Sequence, residues 1–165
     1  MGRGDVVAAI DLGTSRSAYA YTVVGRDELL IGVPGRLSES KVSEEKKTAT
    51  AILLRRYPEK GDEWRMETFG DRAEQEYMEA RSGGDEAGGD LALFKYFKME
   101  LYKGGRSGTK RSSVDDPVGI SEDEKTRLPL VHLVALALEF IKDAIIARLN
   151  KADNHTLRAS DIKWV

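Results

Sequence analysis

The first half of the chain alternates short apolar runs with polar, glycine-bearing breaks, and the second half turns to helical spacing. Residues 6–11 form a brief apolar run that stops before Gly13, the pattern of a buried strand. Residues 17–24 are rich in Tyr, Val and Thr and are followed by Gly25. They predict a second strand, close enough to the first to pair with it as a hairpin. A third strand is expected over 29–33, ended by the Pro34-Gly35 turn, and two more over 49–54 and 64–69. Asp71 is placed to cap a helix running to about Arg81, with Ala73 and Tyr77 on one face. Residues 91–102 predict a second, short helix. The clearest periodicity lies in 128–150, where Leu130, Val131, Val134, Leu138, Ile141, Ile145 and Leu149 recur at helical spacing and Pro129 suits the first turn. Residues 161–165 predict a closing strand. Polar and glycine-rich stretches at about 36–47, 82–90 and 103–127 read as loops. Strands, then helices, then a strand make an α/β or α+β arrangement. The expected architecture joins 6–11, 17–24 and 49–54 in one mixed sheet with helix 128–150 on a face.

Composition narrows the chemistry. With 165 residues the chain is one domain or a large piece of one, and it needs no disulfide or metal staple. A 41% apolar and 33% charged balance argues against disorder. The net charge of −2 is too weak a field to recruit nucleic acid or an anionic membrane by itself. There is no cysteine, which removes disulfides, thiolate catalysis and cysteine zinc sites. Two histidines, His132 and His155, are too few for a histidine-rich metal site. No run approaches the ~20 apolar residues of a membrane span, and residues 6–10 are too few for a signal sequence. A cytoplasmic location is therefore expected, in which the Arg3-Gly4-Asp5 tripeptide and the Asn154-His155-Thr156 sequon are inert. Function is left to carboxylates, hydroxyls, lysines and backbone.

The sharpest local feature is Asp11-Leu12-Gly13-Thr14-Ser15-Arg16-Ser17 between two strands. Gly13 lets backbone approach a ligand closely, successive amides of such a turn form an anion nest, and Thr14, Ser15 and Ser17 add hydroxyl donors. Asp11 stands at the strand end, where a carboxylate can face a cation held by phosphates. The combination suits a Mg-nucleotide. A plain polar hairpin turn is the alternative for the same residues. Residues 104–110, Gly-Gly-Arg-Ser-Gly-Thr-Lys, resemble a Walker loop but carry Thr109 where its second glycine belongs, and a basic surface loop describes them better. Lys103, Arg106, Lys110 and Arg111 lack interleaved aromatics and are offset by nearby acids, so nucleic acid is not expected. His132 reads as an ordinary helix residue, and Trp64, Tyr96 and Phe97 as core.

Residues 6–24, VVAAIDLGTSRSAYAYTVV, resemble the first phosphate hairpin of the actin-like ATPase superfamily. Within it the chain most resembles the 70-kDa heat-shock protein family and its divergent "member 12" branch. Three further segments agree in order: Lys47-Thr48-Ala49-Thr50 with the apolar residues after it, Phe69-Gly70-Asp71-Arg72-Ala73, and Phe97-Lys98-Met99 with its neighbours. The resemblance implies an actin-like, ribonuclease H-like α/β subdomain using ATP or ADP with Mg. It places Asp11 beside the metal and its waters, and Gly13, Thr14 and Ser15 at the β- and γ-phosphates. It sets Lys98 in the position of the family's catalytic lysine; an ordinary solvated helix lysine is the alternative. Arg16 departs from the aromatic residue common at that place and either contacts phosphate or faces solvent. The family's second phosphate loop and its adenosine-binding segment do not occur in the sequence. Residues 1–165 are therefore expected to be the N-terminal portion of a nucleotide-binding domain, an ATP-binding lobe not competent for hydrolysis alone. A non-catalytic scaffold that binds proteins is the second hypothesis, and a sugar-kinase-like member of the superfamily the third.

Overall fold

The computed structural model describes residues 6–25, 29–34, 47–83, 90–103, 117–153 and 156–165. Its principal sheet holds β1 (Val6–Leu12), β2 (Arg16–Val23), β3 (Leu29–Gly32), β4 (Thr48–Ala49) and β10 (Ile162–Trp164). The order is β10-β1-β2-β3, with β4 pairing the start of β2. β1 and β2 are antiparallel from Val6 opposite Val23 to Leu12 opposite Ser17, while β10 runs parallel to β1. The sheet is mixed, as expected.

Only part of the expected strand at 49–54 belongs to it. Ala49 ends β4, Thr50 crosses over, and β5 (Ala51–Tyr57) lies in a second sheet between β6 (Glu63–Phe69) and β7 (Leu91–Lys95). The crossing is held because the Thr50 amide donates to the Ser15 carbonyl (2.8 Å) and its hydroxyl meets that of buried Ser17 (2.7 Å). With these partners Thr50 can be buried without an unpaired polar atom.

Residues 91–102 are not one helix; only the last three are α-helical. Their first five form β7, paired antiparallel with β5 from Ala51 opposite Lys95 to Arg55 opposite Leu91. Leu and Ala favour helix intrinsically, but the ladder to β5 and burial on both faces override that weak preference. Tyr96, at φ 51°, ends the strand, and Phe97–Met99 form a 3-10 turn leading into α2 (Glu100–Lys103). Tyr96 is exposed rather than core; Phe97 is buried and Trp64 half-buried. Within the stretch expected to be loop, β8 (Val118–Ile120) pairs with β9 (Arg127–Pro129). Pro129 closes that strand instead of opening the helix. Residues 36–46, 84–89 and 104–116 of the expected loops, the Walker-like segment among them, lie outside the described residues, as do Arg3-Gly4-Asp5 and His155.

α1 (Asp71–Ser82) and α3 (Leu130–Asp153) cover opposite faces of the second sheet. Successive residues of β5 point opposite ways. Ala51 and Leu53 pack with Ala73, Tyr77, Leu91 and Leu93 on the α1 side. Ile52 and Leu54 join Phe69, Ala92 and Phe94 on the α3 side. There α3 also meets Val6, Ala8, Tyr19, Tyr21 and Val23 of the principal sheet, so one helix seals both sheets. Its buried stripe is Leu130, Leu133, Ala137, Ile141, Ile145 and Leu149. Val131 and Leu138, expected on that stripe, are 77% and 39% exposed, because the buried line follows three- and four-residue steps through Leu133 and Ala137. Arg148 of α3 lies beside the Tyr19 phenol. Burial pushes that phenol up, and the guanidinium draws it partly back.

Candidate functional site

The β1–β2 connection is built for close backbone approach. A Cβ on Gly13 would stand 2.2 Å from the Arg16 carbonyl oxygen, so the turn closes only with glycine there. Ser15 and Arg16 are exposed and Thr14 half-buried, leaving the turn open to solvent on one side. Its other side is pinned by residues 47–50, through the Thr50 amide on Ser15 and the pairs of Arg16 with Ala49 and Ser17 with Thr48.

Residues 47–50 are in turn fixed to the start of α1. Asp71 was expected to cap this helix. The capping position is Gly70, and Asp71 reaches outward instead: one carboxylate oxygen accepts from the Thr48 hydroxyl (3.0 Å), the other from the Ala49 amide (3.1 Å). The Asp71 amide donates back to the Thr48 hydroxyl (2.9 Å). The conformation of Gly70 (φ 82°, ψ −153°) admits this close contact, since a Cβ there would fall 2.3 Å from the Thr48 oxygen.

Charged side chains gather at the same end of the sheet. Lys98, in the 3-10 turn after β7, is half-buried and donates its ammonium to the Leu12 carbonyl, 86 residues away in sequence. Lys47 places its ammonium 2.6 Å from Asp11 Oδ2. The Arg16 guanidinium donates to the Lys47 carbonyl at 2.8 Å, so it is turned toward residues 47–50. The structure thus brings Asp11, Gly13, Thr14, Ser15 and Lys98 to one place. Two contributors escape a reading of the sequence, Lys47 and the Thr48–Asp71 clasp. Pairings across 36 and 23 residues leave no periodic trace, and the only signal was the ordered segment 47–50 itself.

The donor set bears on any metal. Among the described residues no three His, Cys, Asp or Glu side chains come close enough together to hold a metal ion. Asp11 is part of no such group among the described residues. Such a site does not cage a cation; it fits a hard cation that brings phosphate oxygens and waters as most of its own ligands, as Mg²⁺ does. Among the described residues no helix is long and apolar enough to cross a membrane.

The same chain, aligned with curated proteins over 97% of its length, gives two matches. It is similar to a heat-shock protein. The human (Homo sapiens) and mouse (Mus musculus) proteins named "Heat shock 70 kDa protein 12A" are 28% and 29% identical to it over 167 residues. The chain spans 21% of the length of each. No family model matches it, and no solved structure matches it. This likeness is distant. It suggests a relation to the 70-kDa heat-shock and actin-like ATPase group, with which the mixed α/β architecture is compatible.

Proposed function

We propose that residues 1–165 are the N-terminal portion of a nucleotide-binding domain and that the β1–β2 hairpin is its phosphate site. The observation that carries this is the Lys98 ammonium seated on the Leu12 carbonyl at the root of the hairpin turn. An ammonium has three donors, and one spent on a backbone carbonyl leaves two for a ligand. Among the described residues, Lys47, Arg16 and Lys98 against Asp11 and Asp71 give the hairpin end a net charge of 3 − 2 = +1, in a chain whose total is −2. That local excess suits a polyphosphate.

In this reading the amides of Gly13, Thr14 and Ser15, with the two hydroxyls, bind β- and γ-phosphate oxygens. Lys98 holds the terminal phosphate in register, and Asp11 orients waters of the metal. Bound Mg²⁺ would supply neutralisation of charge across the phosphates. ATP or ADP is the ligand, the cytoplasm the location, and proteins the further partners. Nucleic acid and membrane are not partners in this reading.

Turnover by these residues alone is not part of it. The sequence contains no second glycine-rich phosphate loop and no adenosine segment, and each charge-assisted hydrogen bond left unmade is worth roughly 1.5–3 kcal/mol. Affinity falls tenfold per ~1.4 kcal/mol, so losing several such bonds takes even micromolar binding to millimolar or weaker. A non-catalytic scaffold that keeps the fold is the second reading, favoured by the same missing segments.

Titration of the 165-residue chain with Mg-ADP, followed by amide NMR and calorimetry, tests the proposal. Millimolar Mg-ADP should shift the Gly13, Thr14 and Ser15 resonances, and Asp11→Asn and Lys98→Ala should each reduce the shifts. No hydrolysis of ATP should be detected. Resonances that do not move would overturn the phosphate site. Low-micromolar affinity would show that the site needs nothing beyond these residues.

A further inference from the structure

The Asp11 carboxylate already has a cation. Lys47 Nζ lies 2.6 Å from Oδ2, with the two side chains 49% and 59% exposed, so the pair is reachable from solvent and able to separate. Lys47 does not arrive there by chance rotation of a free surface residue. Its carbonyl is held by the Arg16 guanidinium. The next two residues pair with β2, and both are bonded to Asp71. The stem of the lysine is therefore fixed beside the hairpin, and only the side chain is left to choose a partner.

An ammonium 2.6 Å from Oδ2 neutralises the carboxylate and repels a divalent cation brought beside it, so the two cations compete for Asp11. We infer that Lys47 is the resident counter-ion of Asp11, competing with free divalent metal and yielding to metal that arrives on a polyphosphate. A bare cation must displace the ammonium with nothing offered in return. A metal-nucleotide brings phosphate oxygens onto which the displaced ammonium can turn. Lys47 is thus a specificity-determining residue: it lowers the affinity of Asp11 for free metal and leaves that for metal-nucleotide less affected. The inference rests on the phosphate-site reading above, but its first test needs no nucleotide.

That test is a titration of the 165-residue chain with Mn²⁺ alone, followed by water-proton relaxation. Exposed ion pairs are weak, so Lys47→Met should tighten Mn²⁺ binding by about two- to fivefold over the wild type. Lys47→Arg, which keeps the charge, should behave as wild type, and adding Asp11→Asn to Lys47→Met should remove the gain. Lys47→Gln serves in the same way should Lys47→Met not melt like the wild type. Equal Mn²⁺ affinity in the wild type and the neutral variants, or a gain that survives Asp11→Asn, overturns the inference. A second series with Mn-ADP separates the two ideas. Absence of any nucleotide effect there counts against the phosphate site and leaves the Mn²⁺ result standing.

Discussion

Gly70 stands where β6 turns into α1, at φ 82° and ψ −153°, a region essentially reserved for glycine. Gly70→Ala would meet two separate costs. The backbone conformation costs about 1–3 kcal/mol for a residue with a side chain. The new Cβ would also press on the Thr48 hydroxyl, the atom shared by both hydrogen bonds with Asp71, whose loss is worth about another 1–3 kcal/mol. A loss of about 3 kcal/mol in urea unfolding is expected, with amide shifts at Ser15 and Ser17 as the clasp loosens; a loss under about 1 kcal/mol would contradict this account. Gly13 differs, since only the Arg16 carbonyl crowds it. Asp11, Gly13 and Lys98 were legible as residues because short ordered segments surround each of them. Lys47 was not, because nothing near it in sequence announces a carboxylate 36 positions away.

At the scale of elements, alternation and helical spacing located β1, β2, β3, β6, α1 and α3 well. They misplaced β7, whose Leu-Ala-Leu-Phe run carries no alternation because both its faces are buried, one against each helix. The β8–β9 ribbon was hidden in a stretch whose composition reads as loop. The turn joining its two strands, 121–126, is tied to the rest by Asp123. Burial alone pushes the Asp123 carboxyl up. The Ser121 hydroxyl (2.7 Å) and Lys125 amide (3.3 Å), with the charges of Lys125 and Arg81, outweigh it and hold the group below the ordinary 3.8. A depressed carboxylate stabilises the fold above its unfolded value, and that contribution is lost as pH falls through the folded one. Asp123→Asn should therefore cost about 1 kcal/mol at pH 7, with the difference from wild type shrinking below about pH 4. Urea midpoints measured from pH 7 to pH 3 check this, and a difference constant with pH would contradict it.

For the whole molecule, the decisive arrangement is that α3 closes both sheets. One sheet carries Trp164 on β10 and the other Trp64 on β6, both packed against the same core. If α3 joins the sheets energetically, neither should melt without the other. Fluorescence transitions of Trp64→Phe and Trp164→Phe, each leaving one reporter, should then coincide with one another and with circular dichroism. Separate midpoints would mean that the sheets unfold independently. The mixed α/β class was legible from the order of elements, but the division into two sheets was not. It turns on Thr50, a single residue whose neighbours on both sides look alike as strand.

The reach of Lys98 to Leu12 also sets an order of events during synthesis. A hairpin such as β1–β2 forms on the scale of microseconds once its residues are free of the ribosome. Lys98 follows the last residue of the hairpin, Val23, by 98 − 23 = 75 residues. At the usual elongation rates of ~5–20 residues per second it emerges about 4–15 s later. Through that interval the nascent hairpin lacks the ammonium that later sits on the Leu12 carbonyl at the turn's root. That contact is made late, when β7 docks on β5 and delivers the turn that bears Lys98. In the proposed reading, a polyphosphate met earlier by the growing chain would find the hairpin backbone without one of its cations.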